Sequence, residues 1–127
     1  MPDRALADTS WFIASEQRRR LGDHPRELAV SIVSMAELRL GVLMAADDAA
    51  RALRLATLSH AEQLSPLPVD SAVAEAWARL VQVLRATGRR LPVNDSWIAA
   101  TAMAHDLALV TQDADYDDIP GLTVIRV

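Results

Sequence analysis

Residues 4–10 read Arg4-Ala5-Leu6-Ala7-Asp8-Thr9-Ser10, and this short stretch decides the fold. Its apolar part predicts a short β-strand that ends at Asp8. Thr9 and Ser10 are residues that cap helices, and they precede the apolar start of a helix at Trp11. A strand that passes directly into a helix is the first unit of an α/β fold, and it places Asp8 at the carboxyl end of the strand.

The same alternation continues along the chain. Four further segments have the apolar character of strands, and they cover Leu28–Ile32, Leu64–Val69, Leu107–Val110 and Leu122–Val127. Helical patterns fill most of the intervals, most clearly at residues 71–87. Strands separated by helices imply parallel pairing with right-handed crossovers. We therefore predict one domain, residues 1–127, built as a three-layer α/β/α sandwich, with the proline-containing Leu64–Val69 strand at an edge.

The composition excludes several classes of enzyme. The 127 residues contain no cysteine, and all thirteen basic residues are arginine. Without cysteine the chain has no disulfides, zinc–cysteine sites, iron–sulfur clusters or thiol nucleophiles. Without lysine it lacks the phosphate-binding lysine of a P-loop and the amine of Schiff-base enzymes. Receiver domains and haloacid-dehalogenase-type phosphatases are excluded as well, because both use an active-site lysine.

Net charge and hydropathy limit the partners and the cellular location that can be expected of this protein. The net charge of −4 argues against a protein that binds nucleic acid over its whole surface, although a local arginine patch is compatible with an enzyme that acts on nucleic acid. No apolar run reaches the roughly 20 residues of a membrane span. The first residues also lack the pattern of a signal peptide. We expect a cytoplasmic protein that has no membrane partner.

Four carboxylates occupy otherwise apolar surroundings, and they are Asp8, Glu37, Asp95 and Asp113. Asp8 is the only charged residue between Ala5 and Ser15, and Asp95 is the only one between Leu91 and Ala104. Two carboxylates about 4 Å apart repel by about 4 kcal/mol at an effective dielectric constant of about 20. A hard divalent cation such as Mg²⁺ or Mn²⁺ removes this repulsion. The pattern therefore predicts a metal site.

Each of these carboxylates also has an ordinary structural interpretation. Asp8 and Asp95 are plausible helix N-caps, Glu37 could pair with an arginine on a helix surface, and Asp113 could be a turn residue. The joint arrangement favours the metal site, because the carboxyl ends of parallel strands meet at the same edge of a sheet.

The segments around these carboxylates resemble the motifs of PIN-domain ribonucleases and, more narrowly, of the VapC-type toxins of bacterial toxin–antitoxin pairs. The four segments lie in the family's order and spacing, and they are Leu6–Ser10, Met35–Val42, Asn94–Ala102 and Leu109–Tyr116. The resemblance implies an α/β/α domain with a five-stranded parallel sheet. It also implies an acidic Mg²⁺ site, in which Mn²⁺ may substitute, formed by Asp8, Glu37, Asp95 and Asp113.

The resemblance extends to the surroundings of the site and to partners. Thr111 matches a hydroxyl residue that the family has beside the acidic residues, and Asp115 matches an additional acidic residue of some members. Tyr116 stands where phenylalanine is commoner in the family. The family also implies a cognate antitoxin, one segment of which lies across the helix expected at Asp47–Gln63, and a homodimer.

The expected activity is that of a metal-dependent endoribonuclease toxin that cleaves structured RNA, either tRNA or rRNA, and so arrests translation and growth. We expect Asp8 and Asp95 to be the principal metal ligands, with Glu37 and Asp113 completing the site or orienting water. Arginine can grip a phosphate group at two points. The predicted contacts to RNA phosphates are therefore the arginine clusters of the chain, which are Arg18, Arg19, Arg20, Arg39, Arg89 and Arg90.

Two alternatives stay open at this point. One is a structure-specific DNA nuclease of related fold, although the chain has none of the extra DNA-binding elements that such an enzyme requires. The other is a non-catalytic module that binds an antitoxin and keeps only a structural metal. The complete acidic quartet disfavours this second alternative.

Overall fold

The computed structural model describes all 127 residues. The strands are β1 (Arg4–Ala7), β2 (Glu27–Val30), β3 (Ala108–Thr111) and β4 (Val124–Arg126). The helices are α1 (Thr9–Glu16), α2 (Ile32–Leu43), α3 (Asp48–Glu62), α4 (Ser71–Ala86) and α5 (Val93–Ala104), followed by a short 3-10 helix at Ala114–Tyr116. None of the five α-helices is both long and apolar enough to cross a membrane.

The four strands form one parallel sheet in the order β2-β1-β3-β4. The central strand β1 pairs on both sides, so that Leu6 lies opposite Ala29 of β2 and Leu109 of β3. β3 is buried at every position, as expected for a parallel strand covered by helices on both faces. The chain turns from β1 to β2 on one side and from β3 to β4 on the other. The boundary between β1 and β3 is therefore the switch point at which such sheets bind ligands.

The prediction of a fifth strand at Leu64–Val69 is wrong, and its prolines explain why. Only Leu67 joins the sheet, through a single parallel bridge to Ser31 beside the edge strand β2. Its N–H donates to Val30 O (2.8 Å), and its carbonyl accepts from Ile32 N (2.9 Å). Pro66 and Pro68 flank it, and neither has an N–H to extend the ladder. The segment keeps its predicted edge position without becoming a strand.

Two buried clusters confirm the three-layer α/β/α architecture. On one face of the sheet, alternate strand residues such as Ala7 and Val30 pack against Trp11, Phe12 and the apolar sides of α2 and α3. On the other face, Leu6 and its neighbours pack against α4 and α5. Successive strand residues point to opposite faces, so each strand contributes to both clusters.

Three of the five α-helices, α2, α3 and α4, begin at a side-chain cap. Asp47 accepts from Ala50 N (2.8 Å) and Asp70 from Val73 N (3.0 Å), as residues that cap helices do. α2 is capped by Ser31, which accepts from Val33 N (3.0 Å). α5 begins at Val93 after Pro92, so neither Asn94 nor Asp95 is its cap. Ser34 and Asp95 are therefore free to face the switch point.

Candidate active site

Four carboxylates from four different segments converge at the carboxyl ends of β1 and β3. Asp8 and Asp113 follow these two strands, Asp95 lies in the first turn of α5, and Glu37 lies in the middle of α2. The charges of the other three all act on Asp95. We call these four residues the acidic cluster. The fold therefore places the four residues near one another, but the carboxylates whose oxygens come within 4.8 Å of one another are those of Asp95, Asp113 and Asp115.

Asp8 is the most deeply placed member, with 4% of its surface exposed. Oδ2 accepts hydrogen bonds from Ser10 Oγ (2.8 Å) and Thr111 Oγ1 (2.8 Å), and Oδ1 accepts one from Tyr116 OH (3.2 Å). Its backbone N–H donates to Val110 O (2.9 Å), which continues the pairing of β1 with β3. A buried carboxylate needs such donors, since an unpaired one costs several kcal/mol. The Asp8 side chain makes no capping hydrogen bond to α1, so the interpretation of Asp8 as a side-chain helix cap is excluded.

Glu37 is held by a hydroxyl, and no arginine is paired with it. Oε1 of Glu37 accepts from Thr9 Oγ1 (2.7 Å), and the same hydroxyl lies 2.8 Å from Ser34 Oγ. Thr9 directly follows Asp8 in the chain, so this contact fixes the α2 carboxylate beside the end of β1. Glu37 is half-buried, because α2 packs against α1 and α3 on the same face of the sheet.

Asp95 has an unusual titration. Burial raises its pKa from 3.8 to about 6, and the negative charge of Asp8 adds to this effect, followed by those of Asp113 and Glu37. A hydrogen bond with Tyr116 acts in the opposite direction. Such a carboxyl group is poised to lose its proton near neutral pH, and it gains most from a positive charge placed in the cluster.

The donor set fits a hard divalent cation. Carboxylate oxygens of Asp95, Asp113 and Asp115 all lie within 4.8 Å of one another. Oxygens at adjacent positions of an octahedral Mg²⁺ site lie about 3 Å apart and those at opposite positions about 4.2 Å apart, so these three side chains would move closer together to share one ion. Asp113 is held in place, because its Oδ1 accepts from Asp115 N (2.9 Å) and its N–H donates to Thr111 Oγ1 (3.0 Å).

The hydroxyl groups around the carboxylates were mostly missed from the sequence. Thr111 is in the expected position, but Ser10 was assigned only a capping role, and it donates to Asp8 instead. Tyr116, which stands where phenylalanine is commoner, has a hydroxyl that reaches Asp8. The available signal was the presence of polar residues inside buried segments. Ser34, Ser10 and Tyr116 all have that property.

The predicted RNA-contacting arginines are not equivalent. Arg19 donates to Gln112 Oε1 (3.2 Å), one residue before Asp113, so the exposed cluster at residues 18–20 borders the site. Arg89 donates to the carbonyls of Asp115 (3.2 Å) and Asp118 (3.0 Å) and ties down the loop that carries Asp113, and Arg90 beside it is exposed. Arg39 instead forms an exposed ion pair with Glu62 of α3 (3.3 Å). Arg39 is two positions from Glu37, which on a helix turns it away from the site.

An apolar groove opens beside the acidic cluster. It has a volume of about 450 Å³, and Thr9 and Glu37 lie in its wall. Its apolar side chains include Ile13 of α1, Leu40 of α2 and Met44, which directly follows α2. Its polar lining also includes Glu16, Gln17, Arg54 and Asn94. Leu40 and Met44 are 58% and 72% exposed, which is unusual for large apolar side chains next to one another.

Comparison with known proteins agrees with this geometry. The sequence profile of the PIN domain matches residues 5–122. Ribonuclease VapC4 of Mycobacterium tuberculosis is 52% identical over 98% of this chain and 97% of its own length. Ribonuclease VapC5 of the same organism is 43% identical over 99% of this chain and 95% of its own length.

Solved structures show the same relationship. The crystal structure of VapBC-5, a member of the VapBC family of toxin–antitoxin systems from M. tuberculosis, contains a chain that superposes with a TM-score of 0.90 at 43% identity, covering 99% of this chain and 100% of that one. A chain of the FitAcB structure from Neisseria gonorrhoeae superposes with a TM-score of 0.76 at 25% identity, covering 95% of this chain and 96% of that one.

Proposed function

Because this chain belongs to the PIN-domain family, among the VapC ribonucleases of toxin–antitoxin systems, we propose that it is a Mg²⁺-dependent endoribonuclease toxin. Its substrate would be a structured RNA, tRNA or rRNA, whose cleavage arrests translation and growth. The observation that carries the metal dependence is the acidic cluster itself. Four carboxylates, with Asp8 buried and Asp95 raised in pKa, are stable together when a cation shares them.

The roles of the residues follow from how each is held. Asp8 and Asp95 would be the principal ligands, with Asp113 completing the site and Asp115 adding a further carboxylate. Glu37, whose Oε1 accepts from Thr9, keeps its other oxygen free to orient a water molecule toward the scissile phosphate. Thr111 would act on Asp8 and Asp113 together, since its hydroxyl donates to Asp8 and accepts from Asp113 N.

A bound Mg²⁺ supplies positive charge beside the scissile phosphate and lowers the pKa of water. The protein's own contribution is to hold the carboxylates rigidly on strand ends and to keep the region beneath them dry. We propose that Arg18, Arg19, Arg20 and Arg90 contact phosphates that flank the cleaved bond. Arg39 is withdrawn from this proposal, because it is paired with Glu62.

The partner is a cognate antitoxin, and we place it in the apolar groove. VapBC-5 is a member of a family of toxin–antitoxin systems, and a structure from Klebsiella pneumoniae that is 25% identical to this chain is a toxin–antitoxin complex. A groove with exposed Leu40 and Met44 needs an apolar partner to exclude water, and it lies directly beside Glu37. A partner seated there would restrict access of RNA to the acidic cluster. We also propose a homodimer and a cytoplasmic location, where RNA and the antitoxin are available.

The function is tested by RNA cleavage with the purified chain. We expect cleavage with Mg²⁺ or Mn²⁺ and none with EDTA, and we expect Asp8→Asn to lose at least about 100-fold in rate, as an essential metal ligand does. Asp106→Asn is the matched control, because Asp106 is exposed at the opposite end of β3. Cleavage that persists in EDTA or in Asp8→Asn would refute the proposal. Cleavage of DNA but not RNA would favour the alternative nuclease.

A further inference from the structure

The Tyr116 side chain lies beneath the acidic cluster and is fully buried. Its ring belongs to the apolar layer that contains Leu6, Ile98 and Leu109. Its hydroxyl donates to Asp8 Oδ1 (3.2 Å), and the carboxyl group of Asp95 is close enough to act on it electrostatically. Because packing fixes the ring, the hydroxyl stands at a defined point between two carboxylates that belong to different elements.

The hydrogen bonds of Asp8 show what this hydroxyl does. An ionised carboxylate has about four acceptor positions. Ser10 and Thr111 occupy both positions on Oδ2, and Tyr116 occupies one on Oδ1. One position on Oδ1 is left for another partner. Without Tyr116, Oδ1 would lose this donor, and the carboxylate would be anchored through Oδ2 alone.

We propose that Tyr116 is a positioning residue for the cation site: its hydroxyl holds Oδ1 of Asp8 so that this oxygen can bind a divalent cation shared with Asp95. The inference rests on the proposed metal-dependent function. A neutral phenol suits this role, because an arginine there would neutralise the carboxylates and repel the cation. Donors that orient a metal ligand typically contribute about 10- to 100-fold in metal affinity.

The experiment measures metal binding without RNA. Mn²⁺ is titrated into the metal-free full-length protein, and the unbound ion is quantified by electron paramagnetic resonance. The variant is Tyr116→Phe, which keeps the ring and removes only the oxygen. The control is Thr101→Val, which also removes a fully buried hydroxyl, but one that donates to Trp97 O (2.8 Å) within α5. Circular dichroism and urea unfolding show that both variants are folded.

We expect Tyr116→Phe to raise the Kd for Mn²⁺ about tenfold and Thr101→Val to leave it within about twofold, even if both lower stability. A purely structural hydroxyl would change the urea midpoint and leave the Kd unchanged. Unchanged Mn²⁺ affinity in Tyr116→Phe would overturn the inference and leave the proposed function standing, as would equal weakening by both variants. If the wild-type protein binds no Mn²⁺, the metal-dependent function fails as well, and the inference fails with it.

Discussion

Replacing Asp95 by asparagine should stabilise the metal-free protein at neutral pH. In the folded chain, burial and the charge of Asp8 raise the pKa of Asp95 from 3.8 to about 6. A shift of this size corresponds to about 3 kcal/mol for a fully buried group. Asp95 is only partly buried, so solvent screening lowers the expected gain to about 1 kcal/mol. Asparagine has a similar shape and never acquires the charge.

The pH dependence has a definite sign. The folded-state pKa lies above the unfolded value, so the neutral form of Asp95 is the one that folding favours. Its contribution to stability is fully present below about pH 4 and is lost as the pH rises through about 6. Asp95→Asn and wild type should therefore have similar stability at low pH, and the variant should become more stable as the pH rises.

Urea unfolding in EDTA at about pH 4.5, 6 and 7.5 measures this difference. A gain of about 1 kcal/mol corresponds to a rise in Tm of roughly 3–5 °C for a chain of this length. Mg²⁺ at about a hundred times its Kd should reverse the order, because it stabilises the wild type by about 2.7 kcal/mol and binds more weakly to the variant, which has lost one carboxylate. The reasoning is refuted if the variant is no more stable than wild type at pH 7.5, or if the difference does not change with pH. Asp106→Asn should show neither effect.

Three further changes test the packing, the hydroxyl network and the RNA surface. Leu6→Ala empties a fully buried position of the central strand and should cost about 2–5 kcal/mol in urea unfolding, whereas Leu43→Ala at a 69% exposed position should stay within about 0.5 kcal/mol. Thr111→Val removes one of two donors to a buried carboxylate oxygen and should cost about 1–3 kcal/mol, and Thr111→Ser should retain most of that stability. Arg19→Ala should weaken RNA binding and reduce the salt dependence of that binding, measured by fluorescence anisotropy at several salt concentrations. Arg39→Ala should change neither quantity, because Arg39 is paired with Glu62. Equal effects of the two variants would contradict the proposed RNA surface.

Much of the fold could be predicted from the sequence, because strand and helix identity is a local property here. β1, β2 and β3 are short apolar runs, and α4 has apolar residues at helical spacing, so each shows its type without reference to the rest of the chain. The failed prediction, a strand at Leu64–Val69, shows the limit. Its apolar residues suit a strand, but pairing needs backbone N–H groups that two prolines do not have.

The membership of the acidic cluster was also predictable, because charge inside an apolar segment is visible in the sequence. That Asp8 and Asp113 lie at one edge followed from their places after parallel strands. For Asp95, the sequence allowed both a helix cap and a member of the acidic cluster. The start of α5 at Val93 settled it, since the residue in the first turn then faces the cluster.

Only the tertiary structure decided which hydroxyl groups hold these carboxylates. The donors to Asp8 include Thr111 and Tyr116, more than 100 residues away, and they reach it because the register of β1 against β3 brings their segments side by side. The ion pair that removes Arg39 from the site likewise depends on the packing of α2 against α3. The sequence by itself determined the elements and the carboxylates, since burial pattern and charge are local. The partners of each carboxylate depend on distances between remote segments, which the folded sheet and its helices alone establish.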